Sequence, residues 1–183
     1  IRILLLGATG FLGSRPLPSL LQHSHTVIPY IRTPSSLPVP LLPHLPTIIQ
    51  SDPRSATTIK SAFFDHNCDA IINAAGYAAM FPWSSTSLPD IVDAVIQAAV
   101  EIGRERGRPV RSGFEVGVSA NCMYLLWVMN SMHIFPSHQQ TIAKLNALPK
   151  SSLNWSLLCP GVMYPASEEV MYPAWWGWGR ECG

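Results

Sequence analysis

The chain has 183 residues, 48% of them apolar and only 13% charged, with a formal net charge of +1. That length suits one domain with a substantial core, and the near-neutral balance leaves no electrostatic case for nucleic acid or an acidic membrane surface as partner. So little charge suits a sheet buried on both faces.

Arg2–Leu6 is an apolar run and predicts a first, central strand. It breaks into Gly7-Ala8-Thr9-Gly10-Phe11-Leu12-Gly13, with glycines spaced G-x-x-G-x-x-G. In this pattern Gly7 permits a tight turn, Gly10 lets backbone approach phosphate oxygens, and Gly13 lets a helix pack close to the strand. Free N–H groups and the positive end of the following helix attract a dinucleotide pyrophosphate. Thr9, Phe11 and Leu12 belong to the same candidate cofactor loop. The helix is predicted from Gly10 to about Gln22, with Leu12, Leu17, Leu20 and Leu21 toward the sheet. Pro16 and Pro18 fit this helix badly, and Pro16, beyond its first turn, is expected to kink or unsettle it.

Thr26–Tyr30 predicts the second strand. Arg32 follows, where an acidic residue would bind the ribose of NAD. Residues 1–51 contain no Asp or Glu. A cation at this point suits the 2′-phosphate of NADP; a solvated loop arginine is the other reading, and NAD stays the alternative cofactor. Six prolines between residues 29 and 46 predict that the usual second helix is weak or missing, replaced by an extended, partly polyproline segment. Thr47–Gln50 predicts a third strand and Ser51-Asp52-Pro53 a turn. Ser55 is placed to cap a helix running to about His66, with Ile59, Ala62 and Phe63 inward.

Ala70–Asn73 predicts the fourth strand. Asn73, Ala74, Ala75 and Gly76 then lie at its carboxyl end, where small residues either leave room for a ribose or allow close helix packing. The clearest helix spans residues 89–103, with Pro89 in its first turn, Ile91, Val95, Ala98, Ala99 and Ile102 on one face, and Gly103 with the arginines at its end. Arg104, Arg106, Arg108 and Arg111 form a basic cluster interleaved with Glu101 and Glu105, which reads as a solvated helix end. Pro109–Val118 predicts a poor fifth strand, residues 137–148 a helix, and Trp155–Leu158 a sixth strand closed by Cys159-Pro160-Gly161. Strands alternating with helices predict a Rossmann-like, doubly wound parallel sheet in three α/β/α layers. This domain is expected to span residues 1–165. Residues 166–183 read as an irregular Trp- and Gly-rich remnant of a C-terminal substrate region, in which Trp175, Trp176 and Trp178 form either a substrate or partner surface or a disordered tail.

Cys68, Cys122, Cys159 and Cys182 are widely spaced, with no C-x-x-C and no histidine at ligand spacing, so no metal site is expected. Free buried thiols, with no signal peptide and no stretch of spanning length, point to the cytoplasm. A strand opening at residue 1 without an initiator Met reads as a start inside a longer chain.

Three segments in register resemble the extended and atypical short-chain dehydrogenase/reductase group, which includes NAD(P)-dependent epimerases/dehydratases and NmrA-like proteins. They are Gly7–Gly13, Asp69-Ala70-Ile71-Ile72-Asn73-Ala74-Ala75-Gly76, and Leu153-Asn154-Trp155-Ser156-Leu157-Leu158-Cys159-Pro160-Gly161. The resemblance covers roughly residues 1–165. It implies a nicotinamide cofactor running beside the fourth strand, a nicotinamide pocket bordered by Pro160 and Gly161, and an adenine contact at Asp52, for which an Asx-Pro turn is an equal reading. It also implies hydride transfer on a small-molecule carbonyl or hydroxyl substrate, and it allows a homodimer.

The family's catalytic pair is Tyr-x-x-x-Lys. Here Lys144 stands in the matching helix, but Gln140 holds the tyrosine position, and an amide cannot protonate a carbonyl as a phenol can. Lys144 remains the candidate for the nicotinamide ribose, with a surface lysine as the other reading. Ser119 is the nearest candidate for the catalytic Ser/Thr, and Tyr124 or His138 for the missing acid. Without the tyrosine, two further readings stay open: a non-catalytic, NmrA-like NADP-binding module, and a non-functional fragment.

Overall fold

The computed structural model describes residues 1–10, 12–76, 86–115, 136–149 and 151–158. Within them lie the strands β1 (Arg2–Leu6), β2 (Thr26–Ile31), β3 (Ile49–Gln50), β4 (Ala70–Asn73), β5 (Arg111–Glu115) and β6 (Asn154–Leu158). The helices are α1 (Pro16–Gln22), α2 (Ala56–Asp65), α3 (Leu88–Arg106) and α4 (Pro136–Asn146). All strand pairs are parallel, in the order β3-β2-β1-β4-β5-β6. The fold is the doubly wound Rossmann-like sheet that the alternation predicts. Its winding reverses between β1 and β4, where Leu6 stands opposite both Tyr30 and Asn73 at the carboxyl edge. That reversal opens a crevice beyond the strand ends.

Two apolar clusters fill the two faces. Leu4, Leu6, Ile28 and Ile71 pack under α2 and α3, joined by Leu145 of α4. Leu5, Val27 and Ile31 pack under α1 and the proline-rich segment, with Leu17 and Leu37 completing that side. Alternate residues of β1 therefore serve opposite faces, and both faces are apolar because both are covered. Ser55 caps α2 by accepting from the Thr58 N–H at 3.4 Å, and Ile59, Ala62 and Phe63 are buried as the spacing predicts.

Three expectations need correction. The first helix does not begin at Gly10. Residues 12–15 form turns, in which the Ser14 N–H donates to the Gly10 carbonyl at 2.9 Å, and α1 starts at Pro16. A helical ladder from Gly10 would need N–H donors at residues 16 and 18, and both are prolines. Starting at Pro16 puts them at the first and third helical positions, where the N–H has no intrahelical acceptor anyway. Pro16 therefore starts the helix rather than kinking it. Second, the proline-rich segment is not simply extended: Pro34–Ser36 and Val39–His44 are short 3₁₀ helices. Third, α3 runs past Gly103 to Arg106. Gly103 is buried inside it, and Gly107 ends it with φ +66°.

β5 carries one oddity. Ser112 is 3% exposed, and among the described residues its hydroxyl has no hydrogen-bond partner.

Candidate functional site

The site is built at the carboxyl edges of β1, β2 and β4. Gly7 leaves β1 with φ +78°, and its N–H donates to the Tyr30 carbonyl at 3.1 Å. A Cβ on Gly7 would stand 2.5 Å from Ala75 Cα and 2.6 Å from Ala75 N. Only glycine fits, because the turn presses backbone against backbone. Gly13 is buried beneath the same turn, and a side chain there would overlap the Gly7 carbonyl. Gly10 lies at the exposed crest. Its N–H donates to the Gly7 carbonyl at 2.9 Å, closing the loop. Thr9 and Leu12 flank it, partly buried.

The opposite wall comes from β4. The Ala74 N–H donates to the Leu6 carbonyl at 3.0 Å, tying the wall to β1. Asn73 is buried, and its Oδ1 accepts from the Ala75 N–H at 3.2 Å. That bond holds the strand end in a tight turn before Gly76, whose φ is +99°. Ala74 and Ala75 are buried. The glycine turn and the Asn73–Gly76 turn are thus packed against each other, and at the exposed Gly10 crest an approaching group meets backbone without a side chain. This cradle of glycine and alanine fits a pyrophosphate, whose oxygens need close backbone N–H donors. Because α1 starts six residues after Gly10, local turns rather than a long helix follow the crest.

Arg32 is exposed just beyond β2, and its backbone carbonyl accepts from Gln50 Nε2 at 3.2 Å. Asp52 forms an Asx turn, its Oδ1 accepting the Arg54 N–H at 3.0 Å. The Arg54 guanidinium grips the same carboxylate, with Nη2 2.5 Å from Oδ2. Hydrogen bonds from Arg54 hold the Asp52 carboxyl below its ordinary range, and the charge of Arg32 adds to the effect. The Tyr30 hydroxyl donates to the Asp52 carbonyl at 3.1 Å, fixing the β3–α2 loop to β2.

The structure places Lys144 on α4, away from the glycine turn in sequence and bonded elsewhere. Its Nζ lies 2.7 and 2.6 Å from the two carboxylate oxygens of Asp93 on α3. Gln140, one turn earlier, is exposed. Nothing in the sequence marks Asp93 as the partner, because 51 residues separate the pair. Phe11, Ser119, Tyr124, Pro160, Gly161 and the tryptophans of the tail lie outside the described residues, as does the side chain of His138. Among the described residues no group of histidines, cysteines and carboxylates is arranged to hold a metal ion. No helix among them is long and apolar enough to cross a membrane.

The winding, the reversal point and the glycine turn define a nucleotide-binding doubly wound fold. The profile of the NAD dependent epimerase/dehydratase family matches residues 3–109, and the chain belongs to that family. No curated protein sequence matches it. Among solved structures it is similar to ChuY, an anaerobillin reductase from Escherichia coli O157:H7, with TM-score 0.60 and 19% identity over 88% of this chain and 73% of that one. It is also similar to the oxidoreductase ylbE from Lactococcus lactis, with TM-score 0.63 and 17% identity over 91% of this chain and 72% of that one. WbmG from Bordetella bronchiseptica, solved in complex with NAD, gives TM-score 0.50 and 20% identity over 64% of this chain and 37% of that one. At these identities the likeness establishes the shared fold.

Proposed function

We propose that this chain binds NADP(H) at the crevice between β1 and β4 and serves hydride transfer to or from a small carbonyl or hydroxyl substrate. The observation that carries the reading is the glycine turn, packed against Ala74 and Ala75, with Arg32 rather than an acid beyond β2. Gly7, Thr9, Gly10, Leu12 and Gly13 would hold the pyrophosphate by backbone, and Asn73–Gly76 would border the ribose. Arg32 would meet the 2′-phosphate as a charge-assisted donor. Asp52 would lie beside the adenine end. A bound nicotinamide supplies or accepts the hydride; the protein's part is position and electrostatics.

Two observations favour a second reading, a non-catalytic NADP-binding module. Gln140 stands where the family's tyrosine would be, and Lys144 is clamped to Asp93. Consumption of NADPH with a panel of carbonyl substrates separates the two, because the module would bind without turnover.

The binding reading is tested by titrating NADPH and NADH into the protein and following nucleotide fluorescence. Saturable binding with NADPH preferred is expected. Gly10→Val, which puts a side chain where backbone must meet phosphate, should abolish it while the fold survives. Equal binding by parent and variant would overturn the site. Preference for NADH would overturn the role of Arg32.

A further inference from the structure

In the sequence, Glu101 and Glu105 alternate with Arg104, Arg106 and Arg108, as if the charges neutralised one another. The fold gives the glutamates other hydrogen-bonded partners, although the charge of Arg104 still helps hold the Glu101 carboxyl below its ordinary range, after the hydrogen bonds from Gln97 and Lys60. Both glutamates meet Lys60 of α2, at 3.3 and 2.5 Å, and Glu101 also accepts from Gln97 at 3.1 Å. Arg106 lies over the Phe63 ring, 5.3 Å from its centroid, and donates to the Cys68 carbonyl at 3.1 Å. Arg104 and Arg108 are left to line an open cleft of about 270 Å³, together with Ser151 and Ser152. Among the described residues neither guanidinium makes an ion pair, and neither serine hydroxyl is hydrogen-bonded.

The cleft lies at the foot of the sheet, where α3 ends and β5 and β6 begin, opposite the glycine turn. A helix C-terminus ordinarily repels anions, through its bare carbonyls. Here two of them are occupied: the Gly107 N–H donates to the Arg104 carbonyl at 3.3 Å and the Arg108 N–H to the Gly103 carbonyl at 3.1 Å. This double cap, made possible by the left-handed Gly107, blunts the negative end.

We propose that this cleft is a second ligand site, binding a small phosphate-type dianion, free or as a phosphate monoester. Arg104 and Arg108 supply the charge and forked donors, and the two serine hydroxyls supply neutral donors. The volume accommodates a phosphate with a small organic remainder. The site is independent of the cofactor reading and uses none of its residues.

The test is a titration of the full chain with inorganic phosphate, followed by amide chemical shifts, against sodium chloride at matched ionic strength. Saturable shifts confined to residues 103–108 and 151–152 are expected with phosphate and not with chloride. The double variant Arg104→Ala/Arg108→Ala should weaken binding by roughly tenfold or more. Arg111→Ala removes a nearby exposed charge that does not line the cleft and should leave binding unchanged. Absent shifts, the same shifts with chloride, or equal weakening by Arg111→Ala would overturn the proposal. The titration of the parent protein decides even if the double variant fails to fold.

Discussion

At the scale of single residues, Gly7 is constrained both by its dihedral angle and by its neighbours. Its φ of +78° and the Ala75 backbone 2.5 Å from a would-be Cβ leave no room for a methyl group. Gly7→Ala should therefore lower stability by about 3 kcal/mol or more, read as a fall in the urea midpoint at unchanged slope. Its effect differs in kind from that of Gly10→Val, which alters an exposed crest. Ser112 gives the opposite expectation. A buried hydroxyl without a partner is a standing cost, so Ser112→Ala should be neutral or stabilising by up to about 1 kcal/mol. A loss of more than about 1 kcal/mol in the same denaturation experiment would mean that the hydroxyl is hydrogen-bonded in solution.

At the scale of elements, the sequence was most legible where one pattern dominated. β1 and β4 show as apolar runs because strands buried on both faces have no polar side to show. α2 shows through Ser55 and the Ile59, Ala62, Phe63 spacing, and both hold in the fold. Ser55→Ala should cost about 1 kcal/mol, measured by thermal or urea unfolding, since the Thr58 N–H loses its acceptor. In α1 the prolines suggest an interrupted helix. The chain instead starts the helix where they do least harm. β5 read poorly because Arg111-Ser112-Gly113 lacks any apolar run, and its place is set by pairing with β4 and β6. The glycine turn was fully visible as a motif. The ion-pair partners of Lys144, Glu101 and Glu105 were not, because each lies on another helix and only packing brings them together.

At the scale of the whole molecule, the family membership and the winding agree, and the long α3 buries its apolar face against the sheet. Cys68 reports on the integrity of this core. It is 2% exposed, and burial pushes its thiol up from an ordinary value of 9.0 to about 11. A raised value means that the folded state holds the proton more tightly than the unfolded one. The stabilisation is complete below pH 9.0 and is lost as pH climbs toward about 11. Urea unfolding across that window should show a steeper loss for the parent protein than for Cys68→Ala, approaching about 3 kcal/mol when pH exceeds both values. Equal slopes would place the thiol in contact with solvent. At neutral pH the same thiol should resist alkylating reagents until the protein unfolds.

β3 is only two residues long, paired through Tyr30 with Ile49 and Ile31 with Gln50. The Ile31 carbonyl accepts from the Ser51 N–H at 3.0 Å, so Ile31 bonds toward β3. Alternation points Pro29 the same way, and proline has no N–H to offer. The ladder therefore starts no earlier than Tyr30, and Pro46 and Pro53 bracket β3 itself. This flank of the sheet ends in a stub that cannot template another strand. An intruding chain would find two residues to pair with and proline on either side. The segment that replaced a covering helix thus also protects the margin against amyloid-type growth.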